Sequence, residues 1–229
     1  MTTKQLLAGL VLAVAGTSSH AITVLSEGFD DVSTLPGAGW VQFNNSTAPV
    51  GAAWFQGNSG IFNASSGAVN SYIATNFAST GNLTAGAVSN WLILPELTLE
   101  SSSELSFLVR TAGDGFLDKI EVRLSTSGAS TNVGTTTTSV GDFTTLLGSF
   151  QASTTTGWVG LSYTLNNLVG PTSGRLALHY VVGNVATAGN YLGIDDVAVT
   201  AATVVPEPAT YLLMGLGVAG LMLRRRAFV

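Results

Sequence analysis

The 229-residue sequence contains no cysteine, which excludes disulfides, thiolate nucleophiles and cysteine-based metal sites together. Charged residues make up only 9% of the chain, and basic residues are the scarcer kind. Between residues 22 and 205, four basic side chains stand against twelve acidic ones, a formal charge of −8. A surface of that sign repels phosphate backbones, so we expect no nucleic-acid partner and consider cations better candidates.

Long apolar runs are missing except at the two ends of the chain. The first 21 residues contain Lys4, then an apolar run over residues 6–15, and they end on Ser19-His20-Ala21. This order predicts a signal peptide, residues 1–21, that is cleaved after Ala21 and directs the rest of the chain to export. The alternative is a buried N-terminal helix.

The C-terminal end combines the sequence Val205-Pro206-Glu207-Pro208, an apolar stretch over residues 209–223, and the basic triplet Arg224-Arg225-Arg226. Two prolines spaced by one residue cannot lie inside a helix, so they mark its boundary. The apolar stretch would span about 22 Å as a helix, which is short for a permanent anchor in a hydrocarbon core of about 30 Å. The arginines place the end of this helix in the cytoplasm and the preceding chain outside.

This tail, residues 203–229, resembles the PEP-CTERM sorting signal of Gram-negative bacteria that make exopolysaccharide. The resemblance implies that an exosortase, a membrane protease-transferase, removes the helix and releases or re-attaches the protein at the surface. It also implies transient anchoring in the inner membrane, followed by a location at the cell surface or in the extracellular matrix. A plain C-terminal membrane anchor is the alternative, although the Pro-Glu-Pro element would have no function in one.

The part between the two ends, residues 22–202, alternates apolar and polar residues with a period of two, which is typical of half-buried strands. The predicted strands cover residues 71–77, 91–94, 105–110, 119–125, 143–150, 158–165, 176–182 and 191–200. Stretches rich in glycine, serine and threonine at 128–139 and 153–157 predict loops. We therefore predict an all-β fold of two packed antiparallel sheets, of the immunoglobulin or, preferably, the jelly-roll kind, flanked by the signal peptide and the transmembrane sorting helix.

Several short motifs in this region resemble the choice-of-anchor J domain, a family related to the cleaved-adhesin and MAM-type jelly rolls. They are Glu27-Gly28-Phe29-Asp30, Gly39-Trp40, Trp54-Phe55-Gln56-Gly57, Asn70-Ser71-Tyr72-Ile73-Ala74, Asn90-Trp91-Leu92-Ile93-Leu94-Pro95, Val122-Arg123-Leu124-Ser125, Val140-Gly141-Asp142-Phe143 and Tyr191-Leu192-Gly193-Ile194-Asp195-Asp196-Val197. Members of that family carry varying C-terminal anchors and have no assigned activity. The resemblance thus implies a fold and a location more than a function.

The alternation of apolar and polar residues shifts by one position at Asp195-Asp196, which predicts a β-bulge. Bulges often direct side chains to functional positions. If the last strand lies beside the first, Asp195 or Asp196 approaches Glu27 and Asp30. Converging carboxylates repel one another unless a hard cation lies among them, and Ca²⁺ takes six to eight oxygen ligands. These four residues are therefore the candidate metal ligands. The resemblance implies the same, because related adhesin and MAM-type domains hold calcium with their first and last strands. Alternatively, these acids face solvent or cap turns.

Catalytic groups are scarce, and we predict that the chain is not an enzyme. After signal cleavage His179 is the only histidine left, and no Gly-x-Ser-x-Gly elbow is present, so we interpret it as a satisfied or exposed strand histidine. Three pairs of carboxylates could in principle cut glycosidic bonds, namely Asp30-Asp31, Asp114 with Asp118, and Asp195-Asp196. Adjacent residues of a strand point to opposite faces, so a neighbouring pair does not by itself supply an acid and a base.

Aromatic residues offer a further alternative. Trp40, Trp54, Phe55, Trp91 and Trp158 could form a platform for sugars, although such residues more often fill a core. Our first hypothesis is thus an exported, non-catalytic structural or adhesive protein of the surface or of an exopolysaccharide biofilm, with Ca²⁺ as a candidate ligand. The second is a carbohydrate-binding module for extracellular polysaccharide, and the third is a glycan-degrading enzyme.

Overall fold

The computed structural model describes residues 18–152 and 157–205, with side chains for residues 21–152 and 157–201. These residues form strands joined by loops, with two short 3-10 helices, η1 (Val32–Ala38) and η2 (Phe77–Ser79). The strands are β1 (Ser18–Glu27), β2 (Val41–Asn44), β3 (Phe55–Gln56), β4 (Ile73–Asn76), β5 (Val88–Ile93), β6 (Leu97–Leu99), β7 (Glu104–Thr111), β8 (Asp118–Ser125), β9 (Thr145–Ala152), β10 (Val159–Thr164), β11 (Thr172–Val182) and β12 (Tyr191–Val205).

The strands make two sheets. The first sheet has the order β10-β7-β12-β4-β3, with β1 also paired to β12. The second sheet has the order β2-β5-β11-β8-β9, with β6 also paired to β11. The pairings β7–β12, β5–β11 and β8–β11, which build the centre of the sandwich, are all antiparallel. The predicted all-β sandwich of two antiparallel sheets is confirmed.

Each predicted strand segment overlaps a strand of the structure, and residues 128–139 form a loop as predicted. The sequence pattern missed β1, β2, β3 and β6. Strands β2, β3 and β6, of two to four residues, are too short to show a period, and the first residues of β1 were assigned to the signal peptide. It also truncated β5, whose six residues are all buried and therefore do not alternate. Residues 153–156 of the second predicted loop lie outside the described residues.

The core lies between the two sheets. Alternate residues of β7, Leu105, Phe107 and Val109, point into it, and the matching face of β8 contributes Ile120 and Val122. Each such side chain contributes about 1.5–3 kcal/mol when it leaves water. Because the chain has no disulfides, this burial is what stabilises the sandwich.

Strand β12 connects the core to the candidate site. It pairs with β4 and β7, and its register against β7 shifts between Asp195 and Ala198, which is the predicted bulge. Its pairing with β1 also fulfils the condition on which the predicted convergence of acidic residues depends.

Both predicted export segments lie largely outside the described residues. These segments are residues 1–17 of the predicted signal peptide and residues 206–229 of the tail, with the predicted helix 209–223 among them. Strand β1 starts at Ser18, so cleavage after Ala21 would leave residues 22–27 of it. Among the described residues no helix is long and apolar enough to cross a membrane.

Candidate functional site

The bulge of β12 places two aspartates under the loop of residues 63–71. Asp195 is fully buried, and its Oδ2 accepts hydrogen bonds from the backbone N–H of Ser65, at 2.8 Å, and of Ser66, at 3.4 Å. Asp196 adopts a left-handed backbone with φ of 50°, and its Oδ1 accepts a hydrogen bond from Ser66 Oγ at 2.8 Å. The left-handed residue turns two consecutive carboxylates toward one loop.

Burial raises the pKa of Asp195 to about 6, although three backbone N–H groups donate to its carboxylate, and the neighbouring Asp196 charge adds to the effect. Water exclusion disfavours the ionised form more than these hydrogen bonds favour it. The Asp195 carboxylate is therefore a group that a cation would stabilise.

The other two predicted calcium ligands lie where β1 ends. Asp30 is beside the same loop, since a Cβ on Gly67 would be 3.1 Å from Asp30 Oδ1. The Glu27 side chain instead contacts the backbone that follows it, where its Oε1 accepts a hydrogen bond from the Phe29 N–H at 2.8 Å. Among the described residues no group of three acidic or histidine side chains is close enough to hold a metal ion. The loop thus links Asp30 with Asp195 and Asp196, and calcium binding by the four predicted ligands stays a prediction.

Beside this loop an aromatic cluster covers the outer face of the first sheet. Phe62 stacks on Tyr72 with ring centroids 5.1 Å apart, and Trp158 packs edge-on against both rings at 5.5 Å. The Arg110 guanidinium lies 4.6 Å from the centre of the Phe62 ring. Gly57 is needed at this place because a Cβ there would overlap the Tyr72 ring.

The aromatic residues that could form a sugar platform divide into two groups. Trp40, Trp54 and Trp91 are buried in the interior, with 3% or less of their surface exposed. Only Phe55 and Trp158 keep a partly exposed surface beside the cluster. Any sugar platform built from these five residues is therefore reduced to Phe55 and Trp158.

His179 has a serine and a carboxylate beside it, an arrangement that the sequence did not predict. Ser89 Oγ lies 2.9 Å from His179 Nε2, and Glu121 Oε2 lies 3.8 Å from Nδ1, which is too long for a hydrogen bond. The register of the sheet causes this, because His179 pairs with Trp91 on β5 and with Glu121 on β8. Sequence spacing contains no signal for such a register.

This Ser-His-Glu group is closed to substrates. Trp91 stacks on the His179 ring at 3.7 Å and donates its indole N–H to Ser89 Oγ. Trp91 and Ser89 are fully buried and His179 is 3% exposed, because Phe143 packs against Trp91 from the loop of residues 126–144. Burial lowers the pKa of His179, so the ring is neutral at pH 7. His179 is thus a buried strand histidine whose Nε2 is bonded to Ser89, whereas its Nδ1 has no hydrogen-bond partner among the described residues.

Comparison with known proteins identifies the tail and the fold. Residues 204–226 match the family model of the PEP-CTERM protein-sorting motif. The described domain is similar to cleaved adhesin domains of Lys-gingipain from Porphyromonas gingivalis W83. The K1 domain is 20% identical, with a TM-score of 0.52 over 80% of this chain and 97% of that chain. The K3 domain is 19% identical, with a TM-score of 0.51 over 79% of this chain and 99% of that chain.

At these identities the similarity shows the fold alone, and that fold is the predicted jelly roll. No curated protein matches the sequence. The matched tail includes Pro206, Glu207, Pro208 and the three arginines that the sequence analysis singled out, and it implies processing by an exosortase. The chain therefore carries a PEP-CTERM sorting motif behind a jelly-roll domain with the fold of cleaved adhesins, and this motif indicates an exported, cell-surface protein.

Proposed function

We propose that the chain is a non-catalytic structural or adhesive component of the cell surface or of an exopolysaccharide biofilm matrix, delivered there by exosortase. The observation that carries the proposal is the sorting motif at residues 204–226, which begins within β12, the last strand of the jelly roll. The proposal includes a signal peptide over residues 1–21, a choice-of-anchor J-like domain over 22–202 and a sorting segment over 203–229. Its setting is a Gram-negative bacterium in which the chain is transiently anchored in the inner membrane.

The closed environment of His179 supports a non-catalytic role. A Ser-His-Glu device needs a reactive serine that a substrate reaches, and Ser89 is fully buried between strands. Its hydroxyl already has the His179 ring and the Trp91 indole N–H as partners. The group thus stabilises the outer face of the second sheet.

Calcium at the β12 bulge belongs to this proposal, with Glu27, Asp30, Asp195 and Asp196 as ligands. The pairing of β1 with β12 and the position of Asp30 beside the 63–71 loop support it. A cation would favour the ionised form of Asp195, which burial disfavours.

The experiment that tests the sorting proposal follows the full chain in its host cell. Substituting Pro206 and Glu207 by alanine removes the motif and leaves the jelly roll unchanged, so the variant should stay in the inner membrane with its tail intact. Pro171→Ala, at an exposed position of the domain, is the matched control and should reach the surface like the natural chain. Surface delivery of the motif variant at the natural level would contradict the proposal.

A carbohydrate-binding function is the second candidate, and the partly exposed Trp158 beside the aromatic cluster favours it. Aromatic rings at a surface stack on sugar rings, and the neighbouring Arg110 offers hydrogen-bond donors. The test is retention of the full chain on polysaccharide extracted from the host. Retention that is lost in Trp158→Ala and kept in Phe116→Ala, an exposed aromatic outside the cluster, would favour this candidate. Equal retention of both variants would exclude a site at Trp158.

A further inference from the structure

A second acidic group lies at one end of the sandwich and shares no residue with the β12 bulge. Asp118 begins β8 on its inward face and is fully buried. Its Oδ1 accepts hydrogen bonds from the Tyr180 hydroxyl at 2.6 Å and from the Asn190 N–H at 2.8 Å. Its Oδ2 is also buried and has no hydrogen-bond partner among the described residues. A buried carboxylate oxygen without a partner is costly, so this atom is available to a ligand.

A second carboxylate, that of Asp114, is connected to Asp118 through Asn190. Asn190 donates its backbone N–H to Asp118 and its side-chain amide to Asp114 Oδ2, so one residue bridges both aspartates. Asp114 itself lies in the exposed loop of residues 112–117, which joins β7 to β8. The two carboxylates therefore lie on either side of a single residue, Asn190.

A third polar group points into the same end of the sandwich. Thr111 ends β7 on the face that also carries Phe107 and Val109, it is 1% exposed, and its Oγ1 has no hydrogen-bond partner among the described residues. The backbone continues from Thr111 directly into the loop that contains Asp114. Buried polar atoms are rarely left without partners, and two of the six found among the described residues lie at the two ends of this one loop.

One residue of the site lines a cavity. An open cavity of about 240 Å³ lies at this end of the molecule, and Asn190 is part of its wall together with Phe77, Phe116, Val185 and Gly189. An ion that enters this cavity reaches the residue that bridges the two carboxylates.

A bound water would satisfy Asp118 Oδ2, but it would leave two neighbouring negative charges uncompensated. A hard divalent cation satisfies both needs, because carboxylate, amide and water oxygens are the ligands that Ca²⁺ prefers. We infer that the end of the sandwich between residues 112–118 and 183–190 binds Ca²⁺, with Asp118 as the central ligand and Asp114 and the Asn190 amide oxygen completing the protein ligands. With only two carboxylates, the dissociation constant belongs in the millimolar range of extracellular modules.

Terbium luminescence tests the inference, because Tb³⁺ replaces Ca²⁺ and emits when a nearby aromatic ring is excited. The Tyr180 hydroxyl is bonded to Asp118, so Tb³⁺ in the full chain, purified in a non-ionic detergent, should emit on tyrosine excitation, and added Ca²⁺ should displace it. Asp118→Asn should lose the emission that Tyr180 sensitises. Tyr180→Phe should lose most of the emission and keep the thermal response to Ca²⁺.

Thermal unfolding provides the second readout. A Ca²⁺ concentration ten times the dissociation constant should raise the Tm of the natural chain by about 3–6 °C. Asp118→Asn should leave only the rise that calcium at the β12 bulge gives, so the chain with both Asp118→Asn and Asp195→Asn should show none. Asp114→Asn, on an exposed loop where folding is not at risk, should reduce the rise. Asp195→Asn is the matched control at the β12 bulge and should keep the Tb³⁺ emission sensitised by Tyr180.

Two results would overturn the inference. One is a response to Ca²⁺ that disappears in Asp195→Asn and persists in both the Asp118 and the Asp114 variants, which would assign calcium to the β12 bulge alone. The other is the absence of any response of the natural chain to millimolar Ca²⁺, with no tyrosine-sensitised Tb³⁺ emission.

Discussion

Substituting the buried Asp118 by asparagine should change the pH dependence of stability in a defined direction. Burial raises the pKa of this carboxyl group to about 6 from its ordinary value of 3.8. Between these two values the folded state binds the proton of Asp118 more tightly than the unfolded state does. The free energy of unfolding of the chain therefore falls as the pH rises from 3.8 to 6. Asparagine does not titrate and keeps an oxygen for the Tyr180 hydroxyl and the Asn190 N–H.

The size of the effect follows from the difference between the two pKa values. One pKa unit corresponds to about 1.36 kcal/mol, so between pH 4 and pH 7.5 the natural chain should lose about 2.5 kcal/mol relative to Asp118→Asn. The asparagine amide replaces an oxygen that has no partner, and the cost of burying it is the same at every pH. This cost therefore cancels when the two pH values are compared.

Urea-induced unfolding of both chains at pH 4 and pH 7.5, with a chelator present to remove cations, gives the four free energies that the prediction needs. The control is Asn166→Gln, an exposed substitution without a titratable group, which should leave the pH dependence unchanged. A difference between the natural chain and Asp118→Asn that is equal at both pH values would refute the reasoning, because it would mean that Asp118 titrates alike in the folded and unfolded states.

Three further predictions concern stability, and urea-induced unfolding measures each of them. Glu121→Gln should show the opposite pH dependence, because the His179 ring and the Lys119 and Arg123 side chains hold the pKa of Glu121 well below 4.5. The variant should be about 2 kcal/mol less stable at pH 7, and this deficit should shrink as the pH falls below 4.5; a deficit that persists at pH 3 would contradict it. Trp91→Ala should cost about 3–5 kcal/mol, since the ring is fully buried and stacked on His179; a loss below 1 kcal/mol would show that the stack is unimportant. Gly57→Ala should cost about 1–3 kcal/mol through overlap with the Tyr72 ring, whereas Gly160→Ala, whose Cβ would lie 3.6 Å from Leu108, should cost much less; equal effects would contradict the packing argument.

The sequence predicted the sandwich well because a half-buried strand shows its two faces in alternation. Strands β7 and β8 have this pattern, and both were predicted to within two residues. Strand β5 is buried on both faces and was predicted only in part. Even so, the phase slip at Asp195-Asp196 predicted the bulge, because a single inserted residue moves every later side chain to the other face.

The surroundings of the buried polar groups could not be predicted, because they depend on strand order and register. Ser89, Glu121 and His179 come from three neighbouring strands of the second sheet and are far apart in the sequence. Asp114 and Asp118 were recognised as a pair, but only the structure shows that Asn190 bridges them and that one carboxylate oxygen has no partner.

The most direct test of the central claim is the mass of the protein recovered from the surface of its host cell, together with the sequences of its two terminal peptides. Delivery by the sorting motif predicts a chain that begins at Ile22 and lacks the apolar helix and the arginines at 224–226. A chain of 229 residues in the cytosol, with both ends intact, would contradict the claim.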